Sequence, residues 1–310
     1  MSKYILKRLL QLIPVVFGVT LIVFTLLYIT PGDPVKIMMG EQVDPIVLEQ
    51  KRQELGLNDP YIIQFLNYLK NVFLNFDLGN SYATQRPVLE EILSSAPNTL
   101  ILTFVSMIVA TTGGIIFGII AAVQQYKWID TTITIVALVG ISLPLFWLAL
   151  LMILLFSVKL GILPSSGFNS WKSMIMPCLA LAMQSIAVIA RMTRSSMLEV
   201  IRQDYIKTAK AKGLSSWAII AYHEVKNALI PIITVIGMDF GSLLGGAVVC
   251  ETIFSIQGIG RLMIDSIKRR DYPVVQGTVL FIAITCCLVN LIVDLLYMQV
   301  DPRIKKDKNS

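Results

Sequence analysis

Charge is what this chain has least of. Of its 310 residues only 15% are charged, against 55% hydrophobic, and the mean hydropathy is +0.72. A soluble domain carries about 25% charged residues, so a soluble fold of this length could not cover its surface. Histidine is almost missing: His223 stands alone, with no HExxH around it, and is given no catalytic role. The cysteines Cys178, Cys250, Cys286 and Cys287 lie in or beside apolar runs and form no CxxC. That argues against a disulfide framework or a zinc site and for small buried hydrophobes. There is no GxxxxGK followed by Ser or Thr, hence no P-loop, and no GxSxG elbow or carboxylate pair in a polar setting. No catalytic residue and no metal site is expected, and the chain is read as no enzyme in its own right.

What the chain has instead is long apolar runs. A helix needs about 20 apolar residues to cross roughly 30 Å of hydrocarbon. Six stretches qualify: 9–30, 98–123, 131–158, the short 173–190, 227–250 interrupted by Asp239, and 273–300 interrupted by Asp294. The N-terminus is similar to a signal peptide, but its apolar run is too long and no small-residue cleavage site follows, so an uncleaved first helix is expected. Six spans place both termini on one side. That side holds Lys3, Lys7 and Arg8, seven bases against three acids in 191–227, and Arg303, Lys305, Lys306 and Lys308 in the tail. Segment 31–97, opposite, has nine acids and five bases. The positive-inside rule makes the basic side cytoplasmic, although Arg261, Lys268, Arg269 and Arg270 in 251–272 then fall outside.

The outer segment shows helical signals. Asp59-Pro60 is an expected N-cap and N1 pair for a helix with Ile63, Leu66, Leu69 and Phe73 on its apolar stripe. PIVLEQKRQEL ends at Gly56, an expected C-cap. Within the spans, Pro14, Pro144, Pro177 and Pro231 each remove a backbone donor and can kink a helix. Gly113, Gly114, Gly118, Gly237, Gly241, Gly245 and Gly246 allow close helix approach. An intramembrane carboxylate is costly and must face protein or a wet path. Asp294 suits an interfacial hydrogen bond. Asp239 is a candidate for the translocation path or for a hydrogen bond to a neighbouring helix, and Glu251 at the outer end of the fifth span is a similar candidate.

One segment departs from the oil around it: DYIKTAKAKGLSSWAIIAYHEVKNALIP, 204–231. Asp204 can cap a short helix that stops at Gly213, with Lys210 and Lys212 where the macrodipole favours cations. Ser215 or Ser216 can cap a second helix from Trp217 that runs into the fifth span. The expectation is a helix–Gly–helix elbow on the cytoplasmic side. So short a helix is marginal without a partner, and Ala209 and Ala211 between lysines suit a partner's groove.

This segment resembles the EAA loop of ABC importer permeases, a Glu-Ala-Ala, three residues, Gly, then a later Ile or Leu-Pro. The matching positions are Lys207-Thr208-Ala209, Gly213 and Ile230-Pro231; the first two depart from the consensus in the manner of the B-type permeases of dipeptide, oligopeptide and nickel importers. PGDP (31–34), LGLNDP (55–60), DLGNS (77–81), PNTL (97–100), GGAVVCETIFSIQGIGRL (245–262), RDYPVVQG (270–277) and DPRI (301–304) resemble further landmarks of that family, across nearly the whole chain. The resemblance implies an all-α integral membrane protein with six transmembrane helices. Its type I ABC transmembrane domain (94–300, with coupling loop 191–227) follows an extra N-terminal helix (1–30) and a small helical extracytoplasmic region (31–93). A cytoplasmic tail (301–310) closes it. It implies a multi-pass permease of the bacterial cell membrane that imports di- or oligopeptides by alternating access, with nickel or a metal chelate as the alternative cargo. The implied partners are a second, homologous permease, two cytoplasmic ATPase subunits that bind ATP and Mg, and an extracytoplasmic solute-binding protein; this chain itself would hold no cofactor. Asp204, Tyr205, Lys207, Thr208, Ala209, Lys210, Ala211, Gly213 and Pro231 are the implied ATPase-coupling residues. From other classes, an ion-driven secondary transporter would show inverted repeats and paired intramembrane charges, which are not seen, and a non-transporting scaffold would not explain the Pro and Gly interruptions.

Overall fold

A computed structural model describes residues 2–39 and 43–300. The described residues are helical throughout, with one isolated bridge between Asn80 and Pro87 in place of a sheet. The chain divides into two compact units, 1–99 with 257–287, and 100–256 with 288–310.

The first unit begins with α1 (Ser2–Ile29), which contains Pro14, followed by α2 (Pro34–Met39), α3 (Pro45–Glu54) and α4 (Tyr61–Leu74). Asp44 caps α3 by accepting the Ile46 amide at 2.9 Å, and Gly56 past its end adopts φ +64°. The expected Asp59 cap of α4 is displaced by one residue: Pro60 occupies the cap position, with no side-chain bond, and its carbonyl accepts the Ile63 and Gln64 amides. The expected stripe of α4 is also turned around. Phe65 and Val72 are buried, whereas Ile63, Leu66 and Phe73 are exposed. The aromatic face decides this. Tyr61 and Phe65 lie 5.6 and 5.2 Å from Phe24 of α1, Phe65 lies 6.0 Å from Phe17, and Thr25 Oγ1 meets the Tyr61 hydroxyl at 2.7 Å. Aromatic pairs at these distances contribute beyond their buried area.

The remainder of this unit is the start of α5 (Val88–Val123), α12 (Ile259–Arg269) and the start of α13 (Tyr272–Val300). Val88, Ile92, Ala96, Ile259 and Val274 form its core. Asp271 between α12 and α13 is 2% exposed and accepts three bonds from one loop, from Ser81 Oγ at 2.5 Å, the Tyr82 amide at 2.9 Å and the Ala83 amide at 3.2 Å. Lys268 and Arg269 end α12, where the macrodipole favours cations. In the 30–60 segment Asp33 pairs with Arg52. Burial raises the Asp33 carboxyl, but the Arg52 hydrogen bond and the Val35 amide outweigh it and hold the group below the usual carboxylate range.

The second unit contains the end of α5, then α6 (Trp128–Ser142), α7 (Leu145–Met152) running into a π-helical stretch (Ile153–Lys159), α8 (Trp171–Ile201), α9 (Asp204–Ala211), α10 (Ser216–Ala218), a second π-helical stretch (Ile219–Val225), α11 (Lys226–Ile253) and the end of α13. Five helices are long and apolar enough to cross a membrane, and a bent pair makes six. That pair is the expected third span. It does not run straight: α6 and the segment Leu145–Lys159 meet at 106°. Pro144 lies in the break with ψ 134° and cannot continue the α6 hydrogen-bond ladder. The fourth span is also longer than expected. α8 runs 31 residues, with a Ser170 capping box at its start and Pro177 inside it.

α8 is the central post of this unit, with Met176, Leu181, Ile189 and Met197 buried along it. Small residues bring its neighbours close. A Cβ on Gly114 would lie 2.6 Å from Ile189 Cβ, and one on Gly118 would lie 2.4 Å from Thr193 Cβ. On α11, Gly237 faces Val293 and Gly246 faces Leu181 in the same way, but Gly241 and Gly245 meet nothing within 4 Å. The expectation of close packing therefore holds for some of these glycines and not for the last two.

Candidate functional site

The elbow forms where α8 leaves the apolar core. After Ile201 the chain turns at Arg202 and Gln203, and Gln203, not Asp204, is the N-cap of α9. Asp204 sits in the first turn, where the positive end of the macrodipole favours its charge, and pairs with Lys207 at 2.8 Å. α9 closes with both bonds of a Schellman motif. The Gly213 amide donates to the Lys210 carbonyl at 3.0 Å and the Leu214 amide to the Ala209 carbonyl at 3.4 Å. Gly213 has φ +78°, and a Cβ there would meet nothing within 4 Å. Conformation, not space, asks for glycine at this corner. Ser215 then accepts the Ala218 amide at 3.3 Å and starts α10.

The elbow has a small core of its own. Ile206, Ala209 and Ile219 are buried together, with Val200 of α8 packed against them. This core sorts the nine predicted coupling residues. Asp204, Tyr205, Lys207, Thr208, Lys210, Ala211 and Gly213 are exposed on α9 and its end, so the fold brings seven of them to one short projecting segment. Ala209 faces inward and positions α9 against the π-helical stretch. Pro231 lies apart, inside α11. Around the same corner Trp217 is 76% and Tyr222 73% exposed, and Leu214 is exposed as well. Large exposed aromatics are enriched at contact surfaces, and no local pattern in the sequence marks these two.

A second missed feature ties α8 to α6 just before the elbow. Arg194 forks onto Asp130, with Nε to Oδ1 at 2.6 Å and Nη2 to Oδ2 at 2.7 Å, and the Tyr126 amide donates to Oδ2 at 3.1 Å. Bidentate pairs of this kind fix orientation as well as distance. The two residues lie 64 positions apart, and the charge count treats Arg194 only as one basic residue among seven.

The two predicted path residues differ. Asp239 of α11 hydrogen-bonds Ser185 of α8, and its Oδ2 is buried with no partner among the described residues. Glu251 is fully buried and is not without a partner. Among the described residues no group of three or more His, Cys, Asp or Glu side chains is arranged to hold a metal.

A family described as "Binding-protein-dependent transport system inner membrane component" matches residues 114–306, and its N-terminal companion, "Binding-prot-dependent transport system membrane comp, N-term", matches 1–103. A glutathione transport system permease protein of Escherichia coli is 44% identical over 305 residues, covering 98% of this chain and 99% of the relative. A dipeptide transport system permease protein of Alkalihalophilus pseudofirmus is 43% identical over 333 residues, covering 98% and 100%. Among solved structures, an inward-facing methionine ABC transporter matches with a TM-score of 0.58 at 20% identity, covering 69% of this chain and 97% of that one. The last likeness is one of fold.

Proposed function

The chain belongs to the family of binding-protein-dependent transport system inner membrane components, and from that premise we propose that it is the permease subunit of an ATP-driven importer of short peptides. The family is multi-pass and resides in the inner membrane, and its members take cargo from a binding protein. The relatives named for dipeptide and for glutathione transport both handle short peptides, which supports a peptide cargo ahead of nickel. In this proposal both termini and the elbow are cytoplasmic, and the segment 31–93 is extracytoplasmic. A second, homologous permease completes the membrane part, and two ATPase subunits hold ATP and Mg.

The observation that carries the proposal is the elbow. α9 is fixed through Ile206, Ala209 and Ile219 to the π-helical stretch that leads into α11 and is closed by a Schellman turn, while its outer face is left to solvent. Such a unit moves as one body with α11. Moving a two-state equilibrium from 1:99 to 99:1 takes about 5.5 kcal/mol of differential interaction. Closure of an ATPase dimer around α9 is suited to deliver that difference to the helices that line the path, where Asp239 and Glu251 are the proposed acids.

Co-purification tests this. The chain is expressed with its neighbouring genes, captured by an affinity tag, and assayed for ATPase activity with a binding protein loaded with peptide or with nickel. Stimulation by the peptide-loaded protein is expected. Stimulation by the nickel-loaded protein alone would transfer the cargo assignment to nickel, and a chain that captures no ATPase subunit would overturn the importer.

A further inference from the structure

The first unit contains a cavity of about 690 Å³ that the coupling mechanism does not use. Its wall is built from the end of α1, from α3 and α4, from the 77–85 loop and from the first turn of α13. Pockets of about 300–1,000 Å³ are the size that small ligands fill. In the topology proposed above, residues 30–87 follow the first span and lie outside the membrane, so the cavity opens on the extracytoplasmic side.

Its chemistry is specific. Four charged residues line it, two acids and two bases, and each is already occupied. Asp33 pairs with Arg52, Lys51 with Glu54 at 2.7 Å, and Asp77 accepts the Gly79 amide at 2.8 Å. The wall thus has no surplus charge for a metal cation or a phosphate. Its unspent capacity is neutral. Among the described residues the side-chain amides of Asn67 and Gln276 and the Tyr68 hydroxyl make no hydrogen bond. Phenols and carboxamides both donate and accept. A ligand that suits them offers several uncharged donors and acceptors in a row and little net charge, which is the description of a peptide main chain.

We infer that this cavity is a peptide-binding site of the permease itself, separate from the binding protein, in which Tyr68, Asn67 and Gln276 hold the main chain of a short peptide. The inference rests on the importer reading for its cargo class. It adds a place where peptide waits on the permease after release and before the path opens.

Trialanine and maltotriose serve as probes, titrated against the assembled permease–ATPase complex in nanodiscs with no binding protein present. Asn67 is exposed in the wall, so Asn67→Trp fills the cavity without touching the core. Saturable binding of trialanine is expected, weakened more than about tenfold by Asn67→Trp and about fivefold by Tyr68→Phe, the loss of one hydrogen bond. Absence of trialanine binding, indifference to both variants, or preference for maltotriose would overturn the site. Peptide uptake by the complete importer is measured in parallel. Uptake that proceeds while the permease alone binds nothing removes this site and leaves the importer standing; a complete importer that takes up no peptide removes the importer reading itself.

Discussion

Two buried carboxylates hold this protein together in different ways. In the first unit Asp271 accepts three bonds from consecutive residues of one loop, and two of the donors are backbone amides. In the second, Asp130 accepts a guanidinium fork from another helix. Three donors from consecutive residues meet a carboxylate that is 2% exposed, so the Asp271 contact fixes the loop's geometry. Arg194 is 30% exposed at its side chain and can exchange the carboxylate for water. The first unit is pinned; the unit that carries the elbow is joined by a bond that can open and re-form. In the importer proposed above, the fixed contact suits the first unit and the reversible one suits the helices next to the elbow.

Several substitutions would break or sharpen this contrast. The largest effect falls at the elbow. Gly213→Pro demands φ near −65° where the backbone has +78°, and Ala209→Glu forces a charge into the Ile206–Ile219 core. Both variants should insert normally and lose more than about tenfold in uptake, as read by transport in proteoliposomes; normal uptake by either would separate the elbow from function. Next is Asp271→Ala, which leaves the Ser81 hydroxyl and two amides without an acceptor. At roughly 1–3 kcal/mol for a buried donor so stranded, a loss of about 3 kcal/mol is expected, with new protease cleavage at 80–86. The Asp130–Arg194 pair should be asymmetric. Arg194→Ala strands a carboxylate that is 4% exposed and should cost about 2–3 kcal/mol, whereas Asp130→Ala frees an arginine to reach solvent and should cost about 1 kcal/mol. Equal losses in thermal unfolding would show the clamp to be as fixed as Asp271. The smallest effects compare two glycines. Gly118→Ala pushes a methyl into Thr193 and should cost about 1–3 kcal/mol; Gly241→Ala meets nothing and should stay within about 0.5 kcal/mol.

The parts of this fold legible in the sequence were those written locally. The apolar runs located the spans, Gly56 and Gly213 marked helix ends, and Ser215 marked a start, because caps act over three or four residues. What was not legible was long-range or ambiguous by nature. Asp271 meets a loop about 190 positions away, and no local pattern announces that. The face of α4 was misjudged because Ile63, Leu66 and Phe73 are as apolar as the face that is buried. Spacing cannot rank two apolar faces of one helix, and here the aromatic contacts of Tyr61 and Phe65 with Phe24 decide which is buried. The bend at Pro144 was foreseen as a possible kink, but its 106° depends on the packing of α7 against α8 and α11.

The length of α8 has a mechanical consequence. At 1.5 Å per residue its 31 residues reach about 46 Å, well past the roughly 30 Å of hydrocarbon. Pro177, near one end, is a natural fulcrum, since the missing hydrogen bond there softens the helix. From that fulcrum to Ile201 the arm is about 36 Å long. A swing of about 5°, small enough to leave side-chain packing near the pivot undisturbed, carries the far tip through about 3 Å. Leverage of that kind lets a small angular change at one end of a single rod become a displacement as wide as a hydrogen bond at the other.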